Sequence, residues 1–492
     1  MKEWALEHGE LFRLRIGWYD WVVINSPEAF KELMDKQSLS TSSKIPAPIG
    51  HGIVTKGLRI FTMSYGPQWR AQRSIMHRLL APKPTLEFVP SQEFEVKHLL
   101  YQLALDNDDQ ASFFDHIRRM SLSVVATTTY GRRIESPDDA YMRAAGEASA
   151  MLGRITRPGV FPEDDLPPLA RLLPGFLHPS RTKALEYADV ILRGKMAAWT
   201  KLKNEVEAGT AAPSFGRDLV ENDYAAGRIA DEDAAWLTGG LVDAGAEITS
   251  VVLHNLILFL AATPDAQAKA HEELDRVVGS ERAPRVADMP DLPYVRACVK
   301  EILRLCPVPT WALKHYTDAE VTYKNHRIPR GTVLLANTSF LHWDPSRYDE
   351  PHEYRPERFL HHDKSSAEYA VAADARERDH FTFGGGRRIC PAIRMAETTL
   401  RITVASMLWA FTIRPPTDKG PDGSETEGAV DTSPDAFMPT AFAGPKPFRV
   451  RFVPRTSGHL DKVREQWESA RAGGYELRGQ KVQVARQDTR QG

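Results

Sequence analysis

Cysteine is scarce in this chain: three thiols, Cys298, Cys306 and Cys390, stand in the second half of 492 residues. Three scattered thiols make no disulfide framework, and the absence of a C-x-x-C pair removes the usual sign of a structural zinc site. They suit a reducing compartment, and their odd number raises the question of what one thiol does. An excess of one charge is lacking too, with 63 Lys+Arg against 65 Asp+Glu and a formal net charge of -2. Nothing here would hold a polyanion, which excludes nucleic acid as a partner. Long apolar runs are also missing: the longest, 251–262, contains His254 and Asn255 and is too short to cross a bilayer. The N-terminus, MKEWALEHGELFRLRIG, has no apolar signal region and reads as folded helix and strand. The chain as given is therefore expected to be soluble and cytoplasmic, with any anchor outside it.

What is present is core-forming material, 42% of residues being hydrophobic, and a helical rhythm. Residues 231–262 read as one long helix, apolar around most of its second half and so buried. Thr263-Pro264 supplies an N-cap and a first-turn proline for a second helix, DAQAKAHEELDRVV, stopped by Gly279. A third helix is expected from about Pro293 to Leu305, ending before Pro307. The strand-like pieces EVTY and TVLLAN follow, separated by KNHRIPRG read as a turn. Strands are a minority, so the fold class is mainly α: one large helical domain with small β-sheets. The stretch 415–435, rich in Pro, Gly, Asp and Ser, reads as a surface loop. No repeat or dividing linker appears, which gives one domain over 1–455 and a polar tail over 456–492. The tail's last residues, QVARQDTRQG, are expected to be disordered.

The densest chemistry lies in FTFGGGRRICPAIRMAETTLRITVASML. Gly384, Gly385 and Gly386 allow positive φ and the close backbone approach a flat ligand needs. Cys390 follows two arginines and precedes Pro391, in the expected first turn of a helix. A thiol at a helix N-terminus meets unpaired N–H groups and the positive end of the dipole, which favour the thiolate, a good iron ligand. A lone cysteine is most often an inert buried thiol. Here the pattern Phe383-x-x-Gly386-x-Arg388-x-Cys390-x-Ala392 outweighs that reading, because it resembles the haem-binding signature of the cytochromes P450. Ala392 stands where that family usually has glycine.

The resemblance covers most of the chain, with five motifs in family order, and is closest to the microsomal eukaryotic, fungal-like type. It implies the P450 fold, with haem b between the long central helix and the helix after the cysteine loop. Cys390 would ligate iron, Phe383 pack beside the sulfur, and Arg388 pair with a haem propionate. A thiolate opposite oxygen favours O–O cleavage. Trp69 and Arg73, four apart on one helix face, match the family's W-x-x-x-R and imply two more propionate contacts. His315, thirteen residues ahead of Ile328-Pro329, falls where the family often places another such base, although an exposed loop histidine fits the sequence as well. Glu301 and Arg304, at i and i+3, would alone read as a surface pair. With Arg358 of the PERF segment they match the family's buried network behind the haem loop, a structural trio whose breakage is expected to cost ~3–5 kcal/mol.

Within the long helix, Ala244-Gly245-Ala246-Glu247-Ile248-Thr249-Ser250 resembles the family's oxygen-activating stretch. Gly245 would open the helix wall for dioxygen, while Glu247 and a hydroxyl relay protons, an effect of ~10²–10⁴-fold. The match breaks at Ile248, where the family has threonine; the hydroxyl arrives one residue later, at Thr249, about 100° further round. A local bulge bringing Thr249 into the groove, a relay through Glu247 and water, and a hydroxyl supplied by the substrate remain open. The substrate walls are expected at 46–53, 151–176, 237–244, 308–311 and 437–441, mostly apolar, for a small lipophilic molecule. The resemblance further implies electrons from NADPH through NADPH-cytochrome P450 reductase, with cytochrome b5 as a second donor. It also implies association with the membrane surface at the cytosolic face of the endoplasmic reticulum. The expected activity is monooxygenation in natural-product biosynthesis, against two alternatives: an isomerase or peroxygenase acting on hydroperoxides, and a non-catalytic haem-binding protein.

Overall fold

The computed structural model describes residues 2–483 except 106–109, 158, 173, 178, 312, 420–424 and 441. The helices of thirteen residues or more are α1 (Pro67–Leu79), α2 (Val89–Leu105), α3 (Phe113–Tyr130), α4 (Ala140–Arg154) and α5 (Arg181–Glu207), followed by α6 (Asp231–Ala262), α7 (Pro264–Val277), α8 (Pro293–Leu305), α9 (Ile393–Ala410) and α10 (Ser457–Gly473). Proline opens α1, α7 and α8, where its fixed φ suits the first turn and its missing N–H costs nothing. Thr263 does not cap α7: its hydroxyl donates back to the Phe259 carbonyl at 2.7 Å, closing α6 instead.

Helix α6 is the axis of the molecule. Three acids, Asp231, Glu232 and Asp233, sit in its first turn against the positive end of the dipole. Its length and composition suit a membrane span, yet 61% of its most apolar window is buried inside the fold, the pattern of a core helix. Leu253, Leu256, Ile257 and Leu260 join one apolar cluster with α2, α3, α8 and α9. Leu237 and Val242 join a second cluster with Trp69, Leu122 and Phe215. Between them, residues 243–249 are half-buried or exposed, so the middle of the central helix is less closely covered than the stretches on either side.

The principal sheet has strand order β1-β2-β6-β3, from β1 (Leu11–Ile16), β2 (Tyr19–Ile24), β3 (His315–Tyr316) and β6 (Val333–Ala336); only the β2–β6 pairing is parallel. Two segments read as loops carry strands. KNHRIPRG contains β5 (His326–Ile328), paired with β4 (Val321–Tyr323) across a turn where Lys324 takes a φ of 51°. The 415–435 stretch contains β8 (Thr417–Lys419) paired with β9 (Glu425–Glu427), although 420–424 lie outside the described residues.

The polar tail is also folded up to residue 482. Trp467 of α10 stacks on His98 of α2 at 4.3 Å and meets Phe94 edge-on at 5.4 Å. The hairpin β11 (Tyr475–Leu477) and β12 (Gln480–Val482) presents Arg478 at its turn to Glu87 at 2.6 Å and Asp218 at 2.7 Å. Burial of Trp467 and Leu477 supplies the apolar contact, which a hydropathy count dominated by charged outer faces hides. Of QVARQDTRQG, residues 484–492 lie outside the described residues.

Candidate functional site

The cysteine loop enters α9 from an extended run. Gly384 and Gly386 adopt positive φ, 68° and 56°. A Cβ on Gly386 would stand 1.9 Å from the Met34 carbonyl oxygen, and one on Gly385 would stand 2.5 Å from the Phe30 ring. Gly385 and Gly386 thus also allow close packing against the segment 30–36. Asp35 fixes the approach by accepting the Gly386 amide at 2.6 Å. The Cys390 amide donates to the Phe383 carbonyl at 2.9 Å, and Phe383 packs on the core cluster of α6 and α9. Helix α9 begins at Ile393, so Pro391 lies in the turn before it and not in its first turn.

Burial pushes the Cys390 thiol up, but an amide N–H from Ala392 and the Arg73 guanidinium pull it down. Cys298, pushed up to about 12 by burial, has Glu273, Glu357 and Glu301 pressing the same way. Burial also raises Cys306, with Glu301 opposing Arg304 there. Cys390 alone has neighbours that uniformly favour a thiolate.

A set of cations surrounds the loop. Arg388 donates to three backbone carbonyls, Ser42 at 2.7 Å, Ile60 at 3.1 Å and Met63 at 2.6 Å, and lies over the Trp69 ring at 4.3 Å. Burial and Arg73 hold it down to about 9, against the pull of Asp318, whose carboxylate accepts the Ser43 hydroxyl. Arg73 donates to the Ile389 carbonyl and to His77, its guanidinium 5.9 Å from the Trp69 ring. His315 is buried, not an exposed loop residue, with Nδ1 2.7 Å from the Thr41 carbonyl; burial and Lys44 push its pKa well below the usual range.

Sequence reasoning missed Lys44. Its ammonium is buried, donates to the Lys314 carbonyl at 2.9 Å, and is driven well below its ordinary pKa by burial and by Arg388 and Lys314. Arg388, Arg73 and Lys44 make no ion pair among the described residues. Uncompensated buried cations are costly, so this pocket fits a ligand carrying its own carboxylates next to a sulfur-held metal. The haem expected from the sequence is such a ligand. The signal that would have found Lys44, a lysine in the small-residue stretch STSSKIPAP, is faint.

Behind the loop, Glu301 and Arg304 are completely buried and paired at 2.7 and 2.8 Å. Arg358 donates to the same carboxylate at 3.3 Å, and the Arg355 amide at 3.0 Å. Arg304 also donates to the His342 and Pro351 carbonyls at 2.9 and 2.8 Å. Thr382, in the cysteine loop, donates to the Leu303 carbonyl at 2.7 Å, so the trio and the loop share one scaffold.

The central helix differs from expectation. It runs without a bulge from Asp231 to Ala262. The Thr249 hydroxyl donates to the Gly245 carbonyl at 2.8 Å within the helix. A Cβ on Gly245 would stand 2.8 Å from Val125 of α3, so this glycine permits helix packing and opens no wall. Glu247 is exposed and accepts the Ser149 hydroxyl of α4, while Ile248 packs on the core cluster. The face shared by Ala244 and Ile248 therefore carries no hydroxyl.

Of the expected substrate walls, 46–53 and 151–176 border a cavity of about 130 Å³, with Trp21, Lys44, His51, Phe61, Phe161 and Lys314 among its lining. Leu237 and Val308 are core residues at 1% exposure, and Phe437 stacks on Phe259 at 6.3 Å. Residues 158, 173 and 441 of these stretches lie outside the described residues.

A family model described as Cytochrome P450 matches residues 1–439. The chain is similar to "Cytochrome P450 monooxygenase pgmC" of Aspergillus terreus, 47% identical over 486 residues, 98% of this chain and 87% of that protein. It is also similar to "Cytochrome P450 monooxygenase verL" of Clonostachys rogersoniana, 34% identical over 96% of this chain and 86% of that one. Among solved structures, a zebra fish cytochrome P450 with abiraterone superposes at a TM-score of 0.71, covering 92% of this chain and 98% of that one; at 21% identity it speaks for the fold alone.

Proposed function

Because the chain belongs to the cytochrome P450 family, whose fungal members at this identity are monooxygenases, we propose that it oxidises a small lipophilic molecule in natural-product biosynthesis, with Cys390 as the haem ligand. The observation that carries this reading is the pairing of a thiol, on which the Ala392 amide and the Arg73 guanidinium act toward the thiolate against the effect of burial, with cations that make no ion pair among the described residues. Haem held there would supply oxygen activation, with the Cys390 thiolate as the iron ligand that favours O–O cleavage. Arg388, Arg73, Lys44 and His315, with Trp69, would bind and orient its two carboxylates. Glu301, Arg304 and Arg358 hold the loop from behind and touch no reactant.

Proton delivery on the distal side falls to Glu247 and solvent, since the Thr249 hydroxyl is spent on its own helix. Electrons come from NADPH through a flavoprotein reductase, with cytochrome b5 as a second donor. Membrane-surface attachment at the endoplasmic reticulum draws support from exposed apolar side chains, Leu172, Phe176 and Leu177 close in sequence and Trp18 elsewhere in the chain.

The test is a carbon monoxide difference spectrum of the reduced, haem-supplemented protein. A band characteristic of thiolate ligation, lost in Cys390→Ala, is expected. A colourless protein, or pigment with an unchanged band in Cys390→Ala, overturns the assignment.

A further inference from the structure

Arg59 lies in the segment between the Pro48–Val54 turn and α1, and that segment is held from two sides. Arg388 donates to the Ile60 and Met63 carbonyls, and Phe61 rests against α6, 3.5 Å from where a Cβ on Gly240 would stand. The Arg59 carbonyl accepts the Thr62 and Met63 amides, both at 3.0 Å, so the backbone carrying this side chain is locked as a turn.

The side chain itself is not satisfied. Its Nε is buried with no hydrogen-bond partner, and the guanidinium forms no ion pair among the described residues. Burial lowers its pKa, opposed by Asp243 of α6. Asp243 is already taken by Lys195 of α5, at 2.6 Å, so that pair is neutral without Arg59. Burial and Arg59 together hold His51 down to about 4, uncharged at neutral pH. Glu247, one turn along α6, is engaged by Ser149. Arg59 interacts with Asp243 and His51, and Arg388, Arg73 and Lys44 do not figure among the charges that shift it.

Asp243 opens the incompletely covered stretch of α6. A guanidinium whose buried Nε has no partner, beside that stretch, is costly unless a ligand completes it. We infer that Arg59 is the polar anchor of the substrate site, and that the substrate carries an oxyanion, a carboxylate or ionised phenol, on an otherwise lipophilic skeleton. A planar guanidinium takes such a group through two parallel hydrogen bonds, fixing orientation as well as affinity. The inference rests on the monooxygenase reading above and assigns the class of molecule it acts on.

The test is a spin-state titration of the holoprotein with two matched pairs, 2-naphthoic acid with its methyl ester and decanoic acid with its methyl ester. The acid of at least one pair is expected to bind about tenfold or more tightly than its ester. Arg59→Leu is expected to abolish the preference while leaving the ester's affinity within about twofold, and Arg59→Lys to restore part of it. Equal affinity of acid and ester in the unmodified protein, no spectral response to either acid, or equal weakening of acid and ester in Arg59→Leu overturns the inference. The carbon monoxide band, recorded on each preparation, separates these results: its absence defeats the haem-thiolate reading, whereas its presence confines the failure to Arg59.

Discussion

His342 couples Arg304 to the cysteine loop. Its Nδ1 stands 2.9 Å from the Arg304 carbonyl, and its Nε2 accepts the Phe381 amide at 2.6 Å. A carbonyl can only accept and an amide N–H only donate, so the ring is neutral, with its proton on Nδ1. Burial, together with His380 and Arg304, keeps its pKa well below the usual histidine range.

Removing that coupling should loosen the loop without touching Cys390. His342→Leu is expected to lower haem retained per chain and speed haem loss to apomyoglobin, and Glu301→Gln to do more harm. Leaving Arg304 buried without its carboxylate costs ~3–5 kcal/mol. Denaturant unfolding and haem content together check this; full haem occupancy in Glu301→Gln would contradict it.

Lys44 should show opposite effects in the two forms of the protein. Without haem it is a buried charge with no counter-charge, so Lys44→Met should raise the melting temperature of the haem-free chain. With haem the same change removes a carboxylate partner and should speed haem dissociation. If the variant destabilises both forms alike, Lys44 is a packing residue only.

The distal side gives an asymmetric expectation. Thr249→Val should change peroxide leakage by less than about twofold, because its hydroxyl already serves the Gly245 carbonyl. Ile248→Thr places a hydroxyl on the Ala244 face and should reduce leakage, while Glu247→Gln should increase it. Hydrogen peroxide formed per NADPH consumed is the measurement.

Acid should destabilise the fold before it affects the carboxylate pairs. His51, His271 and His380 are each held at about 4, chiefly by burial. Unfolded histidine titrates near 6.5, so between about 6.5 and 4 the unfolded chain binds more protons than the native one. The stability these groups contribute is complete above that window and is lost as pH falls through it. Asp164, raised to about 6 by burial, acts in the opposite sense over part of the range. The comparison is therefore made by difference: His271→Gln should flatten the slope of unfolding free energy against pH by at most ~1.4 kcal/mol per unit. An unchanged slope counts against it.

Much of this was readable in residue order because some constraints leave local traces. Burial on most sides makes 250–262 nearly all apolar, and a glycine-rich loop before a cysteine carries its own spacing. What stayed hidden depends on contacts distant in sequence. Lys44 becomes notable only when Arg388 and His315 arrive beside it from residues hundreds of positions away. Gly245 looked like part of an oxygen groove until Val125 filled the space beside it. The strands within 324–331 and 415–435 escaped notice because turn-forming residues dominate three-residue strands, whose pairing alone defines them.

The strap formed by α10 and its hairpin closes over helix α2, which is translated long before it. Phe94 and His98 of that helix therefore stay without this cover until Trp467 has been made. A nascent chain stalled before residue 457 would present that apolar surface for chaperones to hold.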